Sequence, residues 1–236
     1  MLDYIKNATM DSMYEILMNL PLFKGVSYNK ISEIVEKAKF HFLRFDPGST
    51  IVSVGEPCTH VKFIIRGRAR LTIESRDSRM RVGQTLVAPD VIAPDFMFGR
   101  NTFYPVTATA IGEEQCGLVQ ITKADYMNIL HNDEIFMFNF LNQLSVDAQK
   151  SIEGVLALTA GSLETRIAFW VIALTQTEAT DIVLECRHRD LYSLFGVNRS
   201  VFFQTLQHMR EEGLIDYSPN TISVSSRRRL LELLKS

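Results

Sequence analysis

RDLYSLFGVNRSVFFQTLQHMR, residues 189–210, is the stretch that decides how the C-terminal part of this chain folds. Apolar residues recur at helical spacing on both sides of Gly196, and glycine supplies the positive φ that a short turn between two helices often needs. Asn198 can cap the second helix, because its side-chain oxygen can accept a hydrogen bond from a free amide of the first turn. The stretch therefore predicts helix, tight turn, helix. The residues expected on the buried side are Leu191, Leu194, Val197, Val201 and Leu206.

The opposite face of the second predicted helix is polar, and it is predicted to contact DNA. Side chains near the start of such a helix can bond phosphate oxygens or base edges in the major groove. A helical hairpin with a purely structural use is the alternative. The candidate DNA-binding residues are Arg189, Asn198, Arg199, Ser200, Phe203, Gln204 and Gln207.

The segment that follows has the pattern of a β-hairpin. Residues 213–225 read GLIDYSPNTISVS, in which two short β-prone runs flank the turn signal Ser-Pro-Asn. Beside a helix-turn-helix, such a hairpin is a wing. Arg227, Arg228 and Arg229 come next, either within reach of a phosphate backbone or as a solubilising helix end.

Upstream, the hydrophobic period changes twice. Residues 11–39 predict two short helices separated at Pro21. From Phe40 to Thr122, short β-prone runs alternate with Gly and Pro turn signals roughly every 8–12 residues, which favours a small barrel or roll. Arg66, Arg68 and Arg70 alternate along one predicted strand, and we expect them on a solvated face.

A long helix is predicted between the roll and the C-terminal part. Residues 125–159 contain no proline and a single glycine, Gly154. Six residues step by three and four, as in a coiled-coil seam of just over two heptads, which serves either a second copy of the chain or packing within one chain. The seam comprises Leu141, Leu144, Ala148, Ser151, Val155 and Leu158. The predicted division is 1–130 for the roll, 131–160 for the dimerisation helix and 161–236 for the DNA-binding part.

Composition sets outer limits on the class of protein. Of the 236 residues 46% are hydrophobic and 22% charged, which excludes a disordered or fibrous chain. The net charge of −2 does not indicate a polyanion or an anionic membrane as a partner, although from Cys186 onward 8 basic residues face 5 acidic ones. No run of about 18 uncharged apolar residues occurs, so we expect a cytoplasmic protein without a membrane partner.

The order of these elements resembles the Crp/Fnr family, the catabolite-activator and fumarate–nitrate regulators. The motifs that carry the resemblance are LPLF at 20–23, FDPG at 45–48, FIIRGR at 63–68 and GVNRSV at 196–201. The resemblance implies an α+β fold with a cyclic-nucleotide-binding-like β-roll, or jelly roll, a dimerisation helix and a winged helix-turn-helix. It also implies a bacterial transcription regulator that binds a double-stranded DNA operator as a homodimer, with RNA polymerase and a small-molecule effector as candidate further partners.

Two departures from the family bear on the predicted specificity. Family members have an arginine at the Arg199 position that reads DNA, which makes Arg199 the first candidate for base contact. They typically follow it with a glutamate and a further arginine, where this chain has Ser200 and Gln204. We therefore expect a different operator.

The effector cassette departs further. Its matching segment, residues 98–108, reads FGRNTFYPVTA. Arg100 replaces the glutamate that would accept from a ribose hydroxyl, and no cation between Tyr104 and Ala108 can hold a cyclic phosphate. We therefore expect no binding of cyclic AMP in the usual way, and Arg100 either binds another anion or is solvated. The candidate pocket residues are Gly99, Arg100, Asn101 and Thr102.

Other functions have weaker support, and no cofactor is expected. The first cysteine is Cys58, which excludes the N-terminal cysteine cluster of iron–sulfur members, and haem would rest on a lone histidine. A cupin-like metalloenzyme would need converging histidines, and no catalytic motif is present, so the chain is not expected to be an enzyme. A ligand-binding or scaffold protein whose winged helix contacts protein remains the main alternative.

Overall fold

A computed structural model describes residues 14–234 of the chain and separates it into two compact units. Of the described residues, the first unit comprises 14–69 and 87–145, and the second comprises 70–86 and 146–234. Residues 11–13, the start of the first predicted helix, lie outside the described part. Within residues 14–234, no helix combines the length and the apolar character that crossing a membrane requires.

The first unit is the predicted roll with its helices. Its helices are α1 (residues 14–18), α2 (Tyr28–Lys37) and α3 (Lys123–Asn132). Its strands are β1 (Phe40–Phe45), β2 (Thr50–Val52), β3 (His60–Arg66), β6 (Asp90–Val91), β7 (Thr107–Ile111) and β8 (Cys116–Thr122). The main sheet has the strand order β1-β8-β3-β6 with antiparallel pairing, and β2 pairs with β7.

Aromatic residues form the centre of this unit. Phe23, Phe63 and Phe136 are almost fully buried, and the Phe23 ring lies edge-on to the other two at 6.5 and 4.9 Å between ring centroids. Such edge-to-face pairs add to the free energy that burial of apolar surface provides. Asn139 donates hydrogen bonds of 2.9 Å to the carbonyls of Leu22 and Lys24, so polar contacts also join the N-terminal turn to the helix that follows α3.

That following helix, α4, spans Glu134–Ala157, and the chain passes from the first unit to the second within it. The prediction placed a dimerisation helix over 131–160, and the helix observed there begins at Glu134 and ends at Ala157. Asp133 sets the start of this helix, because the Asp133 carboxylate accepts from the free amides of Ile135 (3.0 Å) and Phe136 (3.2 Å) in the first turn.

The second unit combines helices with one antiparallel sheet. Ser162 caps its first complete helix as predicted, accepting from the amide of Thr165 at 3.2 Å. The elements of the unit are β4 (Arg68–Glu74), β5 (Met80–Val87), α5 (Leu163–Leu174), β9 (Thr180–Cys186), α6 (His188–Leu194), α7 (Arg199–Glu211), β10 (Asp216–Ser218), β11 (Thr221–Ser226) and α8 (Arg227–Leu233). Its strands lie in the order β10-β11-β9-β5-β4.

The β4–β5 hairpin was not expected in this unit. β5 pairs antiparallel with β9, from Met80 opposite Cys186 to Thr85 opposite Thr180. Arg70 supports this pairing, because its guanidinium donates to the carbonyl of Asp181 at 2.5 Å and to the hydroxyl of Thr85 at 3.2 Å. The solvated face predicted for the three strand arginines is therefore wrong for Arg70, which is half-buried.

Candidate nucleic-acid interface

Helices α6 and α7 form the predicted helix-turn-helix. Gly196 has a φ of +63°, which supports the sharp turn between them. The Asn198 side chain accepts from the amide of Val201 at 2.9 Å and caps α7 as predicted. Phe202, Leu206 and Met209, one helical turn apart, are fully buried. The polar side of α7 is consequently directed to solvent.

The predicted buried side of this motif needs a correction. Leu194 and Val201 are 46% and 41% exposed, whereas their neighbours Phe195 and Phe202 are 2% and 0% exposed. In each pair two adjacent residues are apolar, so the sequence alone does not determine which of the two lies on the buried side of the helix. The larger aromatic side chain is the one buried in both pairs, since it removes more apolar surface from water.

A surface groove runs along the polar side of α7. Arg199, Ser200 and Gln204 are exposed there, and Phe203 is half-buried. The guanidinium of Arg199 lies 5.6 Å from the centre of the Phe203 ring, within cation–π distance. The groove is lined by Arg199, Ser200, Phe203, Gln204, Gln207, His208, Glu211 and Tyr217.

Gln207 has a different surrounding from the other candidates on this face. Its amide nitrogen donates to Glu211 at 2.7 Å, and its oxygen accepts from Arg210 at 2.7 Å and from the Tyr217 hydroxyl at 3.2 Å. Its hydrogen-bonding atoms are thus engaged within the protein. The bond from Tyr217 ties α7 to β10, the first strand of the wing.

A buried histidine at the base of the wing was not anticipated. His188 is 5% exposed, and its ring lies 5.4 Å from Phe203, 5.9 Å from Phe202 and 6.3 Å from Tyr217 between centroids. Burial lowers its pKa, which favours a neutral ring at pH 7. The side chain therefore acts as part of an aromatic cluster that joins α6, α7 and β10. Nothing in the sequence distinguishes it from an exposed histidine.

The basic residues around the motif divide into exposed and structural ones. Arg189 lies exposed on α6. Arg227 is buried and donates to the carbonyls of Thr177 (3.1 Å) and Ile172 (3.5 Å), so phosphate contact and solubilisation are both wrong for this member of the triplet. Arg229 donates to the carbonyl of Gly213 at 2.6 Å, and Arg228 is exposed.

Arg166 of α5 is a further structural residue that sequence reasoning missed. Its guanidinium donates to the carbonyls of Leu158, just beyond α4, and of Phe195, at the end of α6. It also lies 5.6 Å from the centre of the Phe195 ring. One side chain therefore connects the end of the long helix to the turn of the helix-turn-helix.

The seam residues of α4 face away from the core of their own chain. Leu141 is 52% and Val155 67% exposed, Ala148 and Ser151 are exposed, and Leu144 is half-buried. Leu158 lies in the turn after α4 and is half-buried. Gly154 and Ala157 are buried on another side of the helix. An exposed apolar side of this kind is what a helix presents when a partner covers it.

The predicted effector segment forms an irregular loop in the first unit. Arg100 and Asn101 are exposed, and Thr102 is half-buried with its carbonyl accepting from the amide of Cys58 at 2.8 Å. Gly99 has a φ of +92°. The segment continues into Tyr104 and Val106, both 3% exposed.

Residues that could carry metal or thiol chemistry are not brought together. Within residues 14–234, no group of three or more His, Cys, Asp or Glu side chains could hold a metal ion. Cys58, Cys116 and Cys186 are buried free thiols, and burial raises the pKa of Cys116 and Cys186 to about 11. These thiols are therefore protonated at pH 7.

Comparison with known proteins adds the following matches. Residues 42–133 match the family described as cyclic nucleotide-binding domain. The cAMP-activated global transcriptional regulator Vfr of Pseudomonas aeruginosa is 21% identical over 81% of this chain and 92% of its own length. The cyclic AMP receptor protein of Thermus thermophilus is 24% identical over 90% of this chain and 96% of its own.

One solved structure bears on the fold alone. The sensor domain of the transcriptional regulator DNR from Pseudomonas aeruginosa aligns with a TM-score of 0.50 and 18% identity, over 58% of this chain and 88% of that domain. The two sequence matches cover most of this chain and most of each relative. These matches support the resemblance of this chain to the Crp/Fnr family of transcription regulators.

Proposed function

We propose that this chain binds a specific DNA operator as a homodimer and regulates transcription. The observation that carries the proposal is the polar face of α7, where Arg199, Ser200 and Gln204 are exposed at the start of a capped helix. The buried phase of the same helix, through Phe202, Leu206 and Met209, fixes which side chains face outward. A duplex groove is the surface that such a helix fits.

Each exposed side chain has a defined chemical role in this proposal. Arg199 forks to the O6 and N7 acceptors of a guanine, the commonest specific contact in the major groove. Ser200 and Gln204 bond base edges or phosphate oxygens nearby. The side-chain oxygen of Asn198 is engaged in the cap of α7. The positive end of the α7 dipole, which starts at this cap, faces a phosphate in this proposal. Gln207 supports the wing rather than reading a base, because its amide is engaged within the protein.

Homodimerisation follows from the exposed apolar side of α4 in this proposal. Covering Leu141, Leu144 and Val155 with the same residues of a second copy would remove apolar surface from water. A two-fold axis along α4 presents two copies of α7. Half-sites should then lie about 34 Å apart, one turn of DNA.

The effector of this regulator differs, in our proposal, from cyclic AMP bound in the usual way. The relative from Pseudomonas aeruginosa is described as cAMP-activated, but Arg100 here is exposed where an acceptor for a ribose hydroxyl is required. The following residues Tyr104 and Val106 are buried and uncharged, so they supply no cation for a phosphate. The roll therefore binds a different ligand, or it binds none.

The test uses Arg199→Ala in the full-length protein, with Arg44→Ala as the matched control, since Arg44 is exposed on β1 of the first unit. Operators selected by the wild type from random duplexes are titrated at several salt concentrations. We expect Arg199→Ala to cost on the order of 1–3 kcal/mol and to relax preference at one base pair per half-site. Equal losses on all sequences would show that Arg199 touches phosphate only, and salt-independent binding would favour a protein-binding winged helix instead.

A further inference from the structure

The turn of the β4–β5 hairpin lies beside the wing. β5 begins at Met80, opposite the last residue of β9, Cys186. The amide of Cys186 in turn donates to the carbonyl of Asn220 in the wing turn at 2.8 Å. The hairpin turn, the end of β9 and the wing turn therefore lie at the same end of the sheet. The residues at that end come from two distant parts of the sequence.

The hairpin turn is built by groups other than its arginine side chains. The Ser75 hydroxyl donates to the Asp77 carboxylate at 2.8 Å and accepts from the amide of Met80 at 3.0 Å. The same carboxylate accepts from the backbone amide of Arg79 at 3.2 Å, and Ser78 adopts a φ of +53°. Arg76 and Arg79 are both exposed on this turn. Their side chains can be changed without removing the bonds that shape it.

An open groove between the hairpin and the wing concentrates guanidinium groups. Three arginines and one glutamate line it, together with neutral polar residues. The lining residues that matter are Arg79, Arg81, Arg187, Glu185, Asn220 and Thr221. Uncharged hydroxyl and amide groups and guanidinium forks are the groups that proteins place against phosphate oxygens.

The ion pairs of these arginines are exposed and exchangeable. Arg79 lies 3.4 Å from Asp77, Arg81 lies 3.4 Å from Glu74 and 3.5 Å from Glu185, and Arg187 lies 2.9 Å from Asp190. Exposed pairs of this kind contribute little free energy, so a phosphate can replace the carboxylate as the partner of the guanidinium. Arg76 adds a further exposed cation in the same turn.

We propose that the β4–β5 turn acts as a second wing, whose Arg76 and Arg79 bind backbone phosphates of the duplex just outside each half-site. This inference rests on the proposed function, because it needs α7 and the first wing on DNA. A duplex backbone is the favoured source of phosphate, since the groove is open, its arginines come from separate elements, and the wing turn adjoins it. The contact carries no base preference and adds affinity that depends on salt.

The test compares the wild-type full-length protein with Arg76→Ala/Arg79→Ala and with Arg76→Lys/Arg79→Lys. The probes are two duplexes that contain the sequence selected by the wild type, one trimmed at the outer ends of the half-sites and one extended by about one DNA turn on each side. Arg44→Ala again controls for loss of a positive charge elsewhere. Thermal unfolding verifies that each variant is folded, and inorganic pyrophosphate is titrated separately as a free phosphate source.

The salt slope is the slope of log affinity against log salt concentration. On the extended duplex, the slope of the alanine variant should be shallower than that of the wild type by about 0.9 for each lost phosphate contact, or roughly 3.6 for four contacts in a dimer. Between 50 and 200 mM salt, the wild type then loses on the order of 100-fold more affinity than this variant. Trimming should weaken the wild type and the lysine variant but not the alanine variant. Base preference should stay unchanged in all of them.

Two results would overturn the second wing while leaving the proposed function intact. One is that the alanine variant has the same salt slope as the wild type and loses the same affinity when the duplex is trimmed. The other is saturable binding of pyrophosphate, lost in the alanine variant, with DNA affinity unchanged, which would identify a free anion as the ligand. If the wild type selects no sequence at all, the proposed function itself fails.

Discussion

Replacing Gly154 by alanine would place a methyl carbon 2.2 Å from the Cβ of Ala173, at the point where α4 meets α5. Carbon atoms that are not bonded to each other attract best at about 3.5–4.0 Å, so the two helices would have to separate by roughly 1.3–1.8 Å. Both carbon atoms are attached directly to helix backbone and have no rotamer by which to move away. The carbonyl oxygen of Phe169 lies at 3.5 Å, in ordinary van der Waals contact with the added carbon.

Two effects of opposite sign decide the size of this change. Alanine in a helix is favoured over glycine by about 1 kcal/mol, which would stabilise the variant. Overpacking in a closed contact costs about 1–3 kcal/mol, and the absence of a flexible side chain puts Gly154→Ala in the upper part of that range. We expect a net loss of about 1–2 kcal/mol, which corresponds to a fall in Tm of roughly 5–10 °C for a unit of about 100 residues.

The assay uses the single tryptophan of the chain. Trp170 lies in α5, is 8% exposed and lies 5.7 Å from the ring of Phe195, so its fluorescence reports on unfolding of the second unit. Ala173→Gly removes the opposing methyl group and serves as the second arm of a double-mutant cycle. In that background, Gly154→Ala should no longer destabilise. A gain of about 1 kcal/mol from Gly154→Ala in the wild-type background would refute the close contact of the two helices.

Two further predictions concern the partner and the effector. Leu144→Glu combined with Val155→Glu should give monomers by light scattering and much weaker operator binding, because each charge would be buried in the seam; unchanged dimers would remove α4 as the interface. Cyclic AMP, added to the wild-type protein in equilibrium dialysis, should show no saturable micromolar binding, since Arg100 and the buried Tyr104 leave the ribose and the phosphate without partners; saturable micromolar binding would contradict this account of the loop.

Local signals in the sequence were sufficient to predict the helix-turn-helix and the roll. Gly196, the cap at Asn198 and the turn signal around Pro219 act over a few residues, so their consequences can be read without knowing the rest of the fold. The exposure of Arg199 and Ser200 was predicted in the same way, although the prediction buried Val201 where the structure buries Phe202.

Contacts between distant residues could not be predicted in this way. The pairing of β5 with β9 joins Met80 to Cys186, and nothing in either strand indicates its neighbour. Arg227 looked like part of an exposed basic triplet, yet its burial depends on carbonyl groups of Thr177 and Ile172 that only the folded chain supplies. Gln207 remained a base-contact candidate for the same reason, because its partner Tyr217 comes from the wing.

Selection of duplexes from a random pool by the wild-type full-length protein tests the central claim most directly. The account predicts enrichment of a two-fold symmetric sequence whose half-sites are about 10 base pairs apart, with binding that weakens steeply as salt rises. No enrichment over the starting pool, or enrichment of a sequence without two-fold symmetry, would contradict the claim that two copies of α7 read one operator.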